Sequence, residues 1–142
     1  MIFQDQIKLA ISSSNLDEFT FKDCIVGGDE CILVNPNHIG AHWNKNNLVL
    51  RSCIYRKRDY YPISLGYCKF HNYQECPDAY PDPLNYKDWF INLKYDGSLI
   101  IVSYYNNQLV IRTRGTSNID IHDTAKEVYE LIDKTVVCPW VL

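Results

Sequence analysis

Asn92-Leu93-Lys94-Tyr95-Asp96-Gly97-Ser98 opens the stretch whose reading decides the fold, and the stretch closes on Asn106-Asn107 and then Arg112-Thr113-Arg114-Gly115-Thr116. It reads as a strand, a sharp loop carrying a lysine, and a β-hairpin. Residues 99–105 and 108–114 are rich in β-branched and aromatic side chains, and the Asn106-Asn107 pair between them tolerates the positive φ that a two-residue hairpin turn requires. The turn sets the register. With Tyr105 opposite Gln108, Leu99 faces Arg114 and Ser98 faces Gly115, so Arg114 returns to the neighbourhood of Lys94. Gly97 lets the backbone approach a ligand closely.

A lysine followed by an acid, a glycine and a serine at the mouth of a hairpin points to phosphate chemistry, because a loop glycine beside an amine gives a phosphate a place to sit. An amine attacks only in its neutral form. From a reference value of about 10.4, a lysine reaches that form through burial or neighbouring cations. Arg112, Arg114 or a metal ion are the candidates for that neighbour.

Lys94-Tyr95-Asp96-Gly97-Ser98 resembles the nucleotidyl-accepting motif KxDG(S) of the covalent nucleotidyltransferases, the superfamily of ATP-dependent DNA ligases, RNA ligases and mRNA capping enzymes. Three further segments resemble those of bacteriophage-type RNA ligases. Arg112-Thr113-Arg114-Gly115-Thr116 is similar to the basic-Gly motif that follows the lysine, with Arg114 at the basic position. Residues 64–75, Ser64-Leu65-Gly66-Tyr67-Cys68-Lys69-Phe70-His71-Asn72-Tyr73-Gln74-Glu75, are similar to S-x-x-F-x-K-F-F-N-x-G-E. Asn47-Leu48-Val49-Leu50-Arg51-Ser52 resembles the still earlier segment that ends in an arginine. Ser52 for glycine, His71 for phenylalanine and Gln74 for glycine depart from the pattern.

With 142 residues the chain makes one domain at most, long enough to bury about two-thirds of its unfolded surface. A net charge of −3 gives no global attraction to nucleic acid, so any such binding must come from a local patch. No run of eighteen or more apolar residues exists, and Met1-Ile2-Phe3-Gln4-Asp5 lacks a basic start and a long apolar core, so a cytoplasmic location with no membrane is expected, the host cytoplasm if the chain is virus-encoded. The six cysteines, at 24, 31, 53, 68, 76 and 138, then read as reduced thiols. Cys68, His71 and Cys76 have the composition of a zinc cluster but not its paired spacing, so incidental thiols are the preferred reading and no metal site is assigned.

Along the rest of the chain, residues 4–11 carry apolar positions for a short helix ending at Ser12 to Ser14. Phe19-Thr20-Phe21 alternates, and Cys24-Ile25-Val26 leads through the turn Gly27-Gly28-Asp29 into a strand over 31–34 that Asn35-Pro36-Asn37 ends. His38 and His42, near Trp43, are spaced for a metal pair or for solvated loop positions, with the loop reading preferred. Residues 48–55 are the next expected strand. Arg51, embedded there among apolar neighbours, needs an anionic partner, either a structural carboxylate or a bound phosphate. Arg56-Lys57-Arg58-Asp59, beside Tyr60 and Tyr61, reads as a charged hairpin tip in preference to a phosphate-and-stacking surface for RNA. Residues 76–87, with Pro77, Pro81 and Pro83, form an irregular connection. Asp123 is placed to cap a helix over 124–134 whose stripe of Ala125, Val128, Leu131 and Ile132 marks an interior face.

The expected fold is therefore α+β, a mostly antiparallel nucleotidyltransferase (ligase-like) domain over 1–142. The resemblance implies an ATP-dependent RNA ligase that works through a lysyl-AMP intermediate. It makes Lys94 the nucleophile, Arg51, Lys69 and Arg114 phosphate or nucleotide contacts, and Asp96, Gly97, Ser98 and Gly115 the shape around them. ATP and Mg2+ are the implied cofactors, and RNA ends bearing a 5′-phosphate and a 3′-OH the implied partners. The family's later motifs, a Phe-Glu motif, a further acidic motif and a lysine-rich motif, have no counterpart before the apolar end Val137-Cys138-Pro139-Trp140-Val141-Leu142. That end looks like a strand about to enter a sheet, so a truncated or split form is expected, with a second polypeptide supplying the absent motifs. The alternative is a non-catalytic nucleotide- or RNA-binding fragment of the same fold.

Overall fold

A computed structural model describes residues 3–15, 17–37, 40–72, 75, 87 and 93–134. Its first sheet grows from the Gly27-Gly28 turn, where φ values of 58° and 84° give the left-handed conformation that joins two twisted strands by two residues. β1 (Phe19–Val26) and β2 (Asp29–Pro36) pair antiparallel from Val26 opposite Asp29 to Phe19 opposite Pro36. β3 (Cys53–Arg56) and β4 (Pro62–Leu65) extend the sheet in the order β1-β2-β3-β4, with the register shifting between Ile54 and Tyr55. A second, two-stranded sheet holds β5 (Ile100–Tyr105) and β6 (Gln108–Thr113). With the helices α1 (Phe3–Ser13) and α2 (Ala125–Lys134), the protein is α+β and mostly antiparallel.

The period of two along the strands sorts the core into two layers. On one face of the first sheet, Ile7 and Ala10 of α1 pack with Phe19, Val34, Leu50, Cys53 and Tyr55, and Trp43 meets Phe19 edge-on at 5.5 Å. On the other face, Val26, Cys31, Leu33, Ile54 and Ile63 receive Tyr105 and Val110 of the β5-β6 hairpin. Each such aliphatic side chain contributes about 1.5–3 kcal/mol of burial, so the hairpin is fixed to the sheet by packing as well as by polar ties. Ser103 donates to Ser64 Oγ at 2.8 Å, and Asn106 Nδ2 donates to the Gly27 carbonyl at 2.9 Å. The Tyr105 hydroxyl donates to Asp29 and accepts from Arg56.

Several expectations shift. The helix at the start and the strand over 31–34 are longer than expected, and β1 runs unbroken through Cys24. The strand expected over 48–55 is confined to Cys53–Arg56. Asparagine side chains capture the backbone ahead of it: Asn47 Oδ1 accepts from the Asn44 N–H, Asn44 Oδ1 from the Asn46 N–H, and Asn47 Nδ2 reaches the His42 carbonyl, each at 2.9 Å. Ser52, at a φ of 59°, then kinks the chain. No strand precedes the lysine loop among the described residues, since 93–99 carry no regular structure. The chain enters α2 through a 3₁₀ turn, Ile119–Ile121, capped by Asn118 Oδ1 on the Asp120 N–H, while Asp123 makes no capping bond among the described residues. The α2 stripe is no interior face there: Ala125, Val128 and Ile132 are half-buried and Leu131 is 66% exposed.

The Arg56-Lys57-Arg58-Asp59 segment is a hairpin tip between β3 and β4, and its cations are paired. Arg56 meets Asp59 at 2.6 Å and Asp29 at 3.7 Å, Arg58 meets Asp29 at 3.0 Å, and Lys57 meets Asp23 at 2.7 Å. The irregular connection over 76–87, apart from Lys87, and the apolar end at 137–142 lie outside the described residues, as does His38. Among the described residues no helix is long and apolar enough to cross a membrane.

Candidate functional site

A cavity of about 560 Å3 lies where the end of β6 meets the kink after Leu50. Arg51, Lys94, Asp96, Gly97, Ser98, Arg114 and Gly115 all line it, although they come from three separated stretches of chain. The hairpin does what its turn requires. Asn106 and Asn107 adopt φ values of 48° and 62°, and the ladder runs from Tyr105 opposite Gln108 to Ile100 opposite Thr113. Leu99 and Arg114 follow just beyond the last paired residues, and both reach the cavity. Thr116 Oγ1 then accepts from the Thr113 N–H at 3.1 Å and turns the chain out of the strand.

Two side chains from the first sheet's neighbourhood hold the end of β6 in place. The Arg114 carbonyl accepts from Ser52 Oγ and from Asn35 Nδ2, each at 3.1 Å. The Arg51 segment is thereby tied to the Arg114 segment through Ser52. At Gly97 the φ is 135°, a conformation that a side chain strains, so the Lys94 loop takes a path suited to glycine.

The electrostatics of the cavity follow from its lining. Arg51 lies over the Phe70 ring at 5.1 Å and donates to the Cys68 carbonyl at 3.4 Å. Burial, and then the charge of Arg114, hold its guanidinium below the usual arginine range. Among the described residues neither Arg51 nor Arg114 forms an ion pair. A structural carboxylate for Arg51, one of the two partners the sequence allows, is thus absent from the described residues. Two neighbouring guanidiniums without an acid repel each other, and an anion relieves that repulsion while accepting their N–H groups. Asp96 is the carboxylate among the lining residues.

Lys69 is not among the described lining residues; its N–H donates to the Leu48 carbonyl at 2.9 Å, and its neighbours Tyr67 and Phe70 face the cavity instead. Arg112, expected as a cation beside Lys94, does not line the cavity. It is fully buried on the inner face of β6, under Ser52 and Ser64, and desolvation pulls its guanidinium down to about 10, which leaves it charged at neutral pH. Sequence reasoning missed Tyr67, Phe70 and His122 as lining residues. Phe70 had a signal, since it adjoins Lys69 in the segment already singled out. His122 had none, because only the turn after β6 carries it to the cavity.

Among the described residues no group of three or more histidines, cysteines or acids is gathered for a metal. Cys76 and His38 lie outside them, and His42 Nδ1 sits 3.2 Å from Glu18 Oε1. The described cysteines 24, 31, 53 and 68 are free thiols. Comparison of the chain with protein-family models and with curated proteins finds no match. Fold and site together define an α+β protein, mostly antiparallel, with a cavity that gathers a lysine and two arginines around a glycine-containing loop.

Proposed function

We propose that the chain is a covalent nucleotidyltransferase of the RNA-ligase kind, in which Lys94 accepts AMP from ATP. The observation that carries this reading is the convergence of Lys94, Arg51, Arg114 and the Asp96-Gly97-Ser98 loop on one cavity, with no described acid paired to either arginine. The neutral Lys94 amine attacks the α-phosphorus, a P–N bond forms, the bond to pyrophosphate breaks, and the amine loses a proton. Arg51 and Arg114 hold the phosphate oxygens and stabilise the charge that builds on them. The loop at Gly97 leaves room for a phosphate beside the amine.

Mg2+ commonly binds through one or two carboxylates and the substrate's own phosphates, and Asp96 as a single lining carboxylate fits that donor set. When bound, the ion would neutralise phosphate charge. The AMP would pass to an RNA 5′-phosphate for sealing with a 3′-OH.

The test is incubation of the chain with α-labelled ATP and Mg2+, with and without a polypeptide carrying the family's later motifs, followed by denaturation and peptide mapping. Label held on Lys94 through denaturation when those motifs are supplied, little or none from the chain alone, and loss of the label in Lys94→Ala with the fold intact are the expected results. AMP mapped to Lys69 or Lys87 would refute the assignment of the nucleophile. Reversible ATP or RNA binding with no covalent label even when those motifs are supplied would favour the non-catalytic binding module instead.

A further inference from the structure

Arg112 is 0% exposed and has no acid beside it among the described residues, yet all five of its N–H donors find acceptors. Nε donates to Ser64 Oγ at 2.7 Å. Nη1 donates to Ser52 Oγ at 3.3 Å and to the Thr113 carbonyl at 3.2 Å. Nη2 donates to the Ser52 carbonyl at 2.7 Å and the Ser64 carbonyl at 2.9 Å. Burying a cation without a counter-ion is costly, and a strand position facing serines would be filled more cheaply by an aliphatic side chain. What the guanidinium does that an aliphatic chain cannot is span three backbone segments at once.

Those segments matter to the cavity. Ser52 follows Arg51 directly, and its backbone is held at a φ of 59°, which is uncommon for a residue other than glycine. Arg112 grips that residue by both its carbonyl and its hydroxyl, and the same hydroxyl donates onward to the Arg114 carbonyl. A continuous chain of hydrogen bonds therefore runs from Arg112 through Ser52 to Arg114, with Arg51 attached at its middle. It ties a bend after the first sheet's approach loop to the end of a strand in the other sheet.

We infer that Arg112 is a positioning residue: through Ser52 its buried guanidinium holds the Arg51 and Arg114 segments together, so that a polyphosphate long enough to engage both arginines binds more tightly than a single phosphate. This rests on the proposed use of the cavity as a phosphate site, but not on Lys94 becoming labelled. Preorganisation of two contacts is felt only by a ligand that needs both, and it shows as coupling between them.

The experiment is titration calorimetry of the full chain with inorganic tripolyphosphate and with inorganic monophosphate. Arg112→Met is compared with Asn106→Gly, which unties the hairpin at its far end. Ser52→Gly serves as a second variant, since glycine accepts the φ of 59° and only the bridging hydroxyl is lost. In the native protein tripolyphosphate is expected to bind more tightly than monophosphate, with Arg51→Ala and Arg114→Ala coupled. Arg112→Met and Ser52→Gly should each weaken tripolyphosphate about ten-fold, leave monophosphate within about two-fold, and abolish the coupling. Asn106→Gly should lower thermal stability and leave the affinity ratio unchanged, which separates positioning from loss of fold. Equal weakening of both ligands, or unchanged tripolyphosphate affinity in folded Ser52→Gly, overturns the inference. Absence of tripolyphosphate binding in the native protein overturns it together with the phosphate-site reading. Tripolyphosphate binding with the expected coupling but no label on Lys94 even when the later motifs are supplied overturns the proposed function alone.

Discussion

Replacing Gly66 by alanine probes the tightest backbone approach near the cavity. Gly66 follows β4 and donates its N–H to the Ser52 carbonyl at 3.0 Å. A Cβ added there would lie 2.7 Å from that carbonyl oxygen, 2.9 Å from Ser52 Cβ and 3.0 Å from Ser52 Oγ. The nearest of the three is a backbone oxygen, and Arg112 holds that oxygen in place, so the neighbour cannot yield without moving the kink beside Arg51. Overpacking of this kind costs about 1–3 kcal/mol, and the lower chain entropy of alanine in the unfolded state offsets about 0.4–1 kcal/mol of it. The net expectation is a loss of about 1–2 kcal/mol. For 142 residues the unfolding entropy is about 0.3 kcal/mol per degree, which gives a fall in Tm of about 3–7 °C. Calorimetric unfolding of Gly66→Ala beside Gly115→Ala measures it. Gly115 also adjoins the cavity, but a Cβ added to it would meet nothing within 4 Å and its φ is not positive, so its change should leave Tm unmoved or slightly raised. A Gly66→Ala protein as stable as the Gly115→Ala protein would refute the close approach and the rigidity assigned to Ser52.

Arg114→Ala should lower labelling from α-labelled ATP more than Arg58→Ala does, because Arg114 lines the cavity while Arg58 is 66% exposed and paired with Asp29; equal losses would show that the cavity is not where the phosphate binds. In acid, the hydrogen bond from Arg56 holds the Asp59 carboxyl down to about 2, and the Tyr105 hydroxyl chiefly lowers that of Asp29. Folded values below unfolded ones mean that this stabilisation is present above about pH 4 and is lost as pH falls toward about 2. Thermal unfolding from about pH 6 to about pH 2.5 should therefore fall less steeply in Asp59→Asn than in the native chain, and parallel curves would contradict the pairing. At the β5-β6 turn, Asn107→Gly should be neutral or stabilising because φ is 62° there, whereas Asn106→Gly, at a φ of 48°, should cost about 1 kcal/mol through loss of the bond to the Gly27 carbonyl. Denaturant titration ranks the two, and the reverse order would refute the tie.

The hairpin was legible in the sequence because its causes are local. Two asparagines that tolerate positive φ between β-branched runs specify both the turn and the register, and the register carries Arg114 back toward Lys94 without help from the rest of the chain. The Gly27-Gly28 turn was legible for the same reason. Residues 48–52 were not, because the apolar pattern there competes with asparagine side chains at 44 and 47, whose bonds to nearby backbone decide the outcome only once the loop has folded. Arg112 shows the limit most clearly. A charged residue on a strand beside a phosphate motif reads as a cation neighbouring Lys94, yet its side chain points inward, where Ser52 and Ser64 of the other sheet's neighbourhood supply the acceptors that make burial tolerable. Spacing along the chain therefore determined the Lys94 loop and its hairpin. Packing that hairpin on the four-stranded sheet decided that Arg51 and Arg114 share a cavity and that Arg112 lies beneath them, since both depend on hydrogen bonds between residues far apart in sequence.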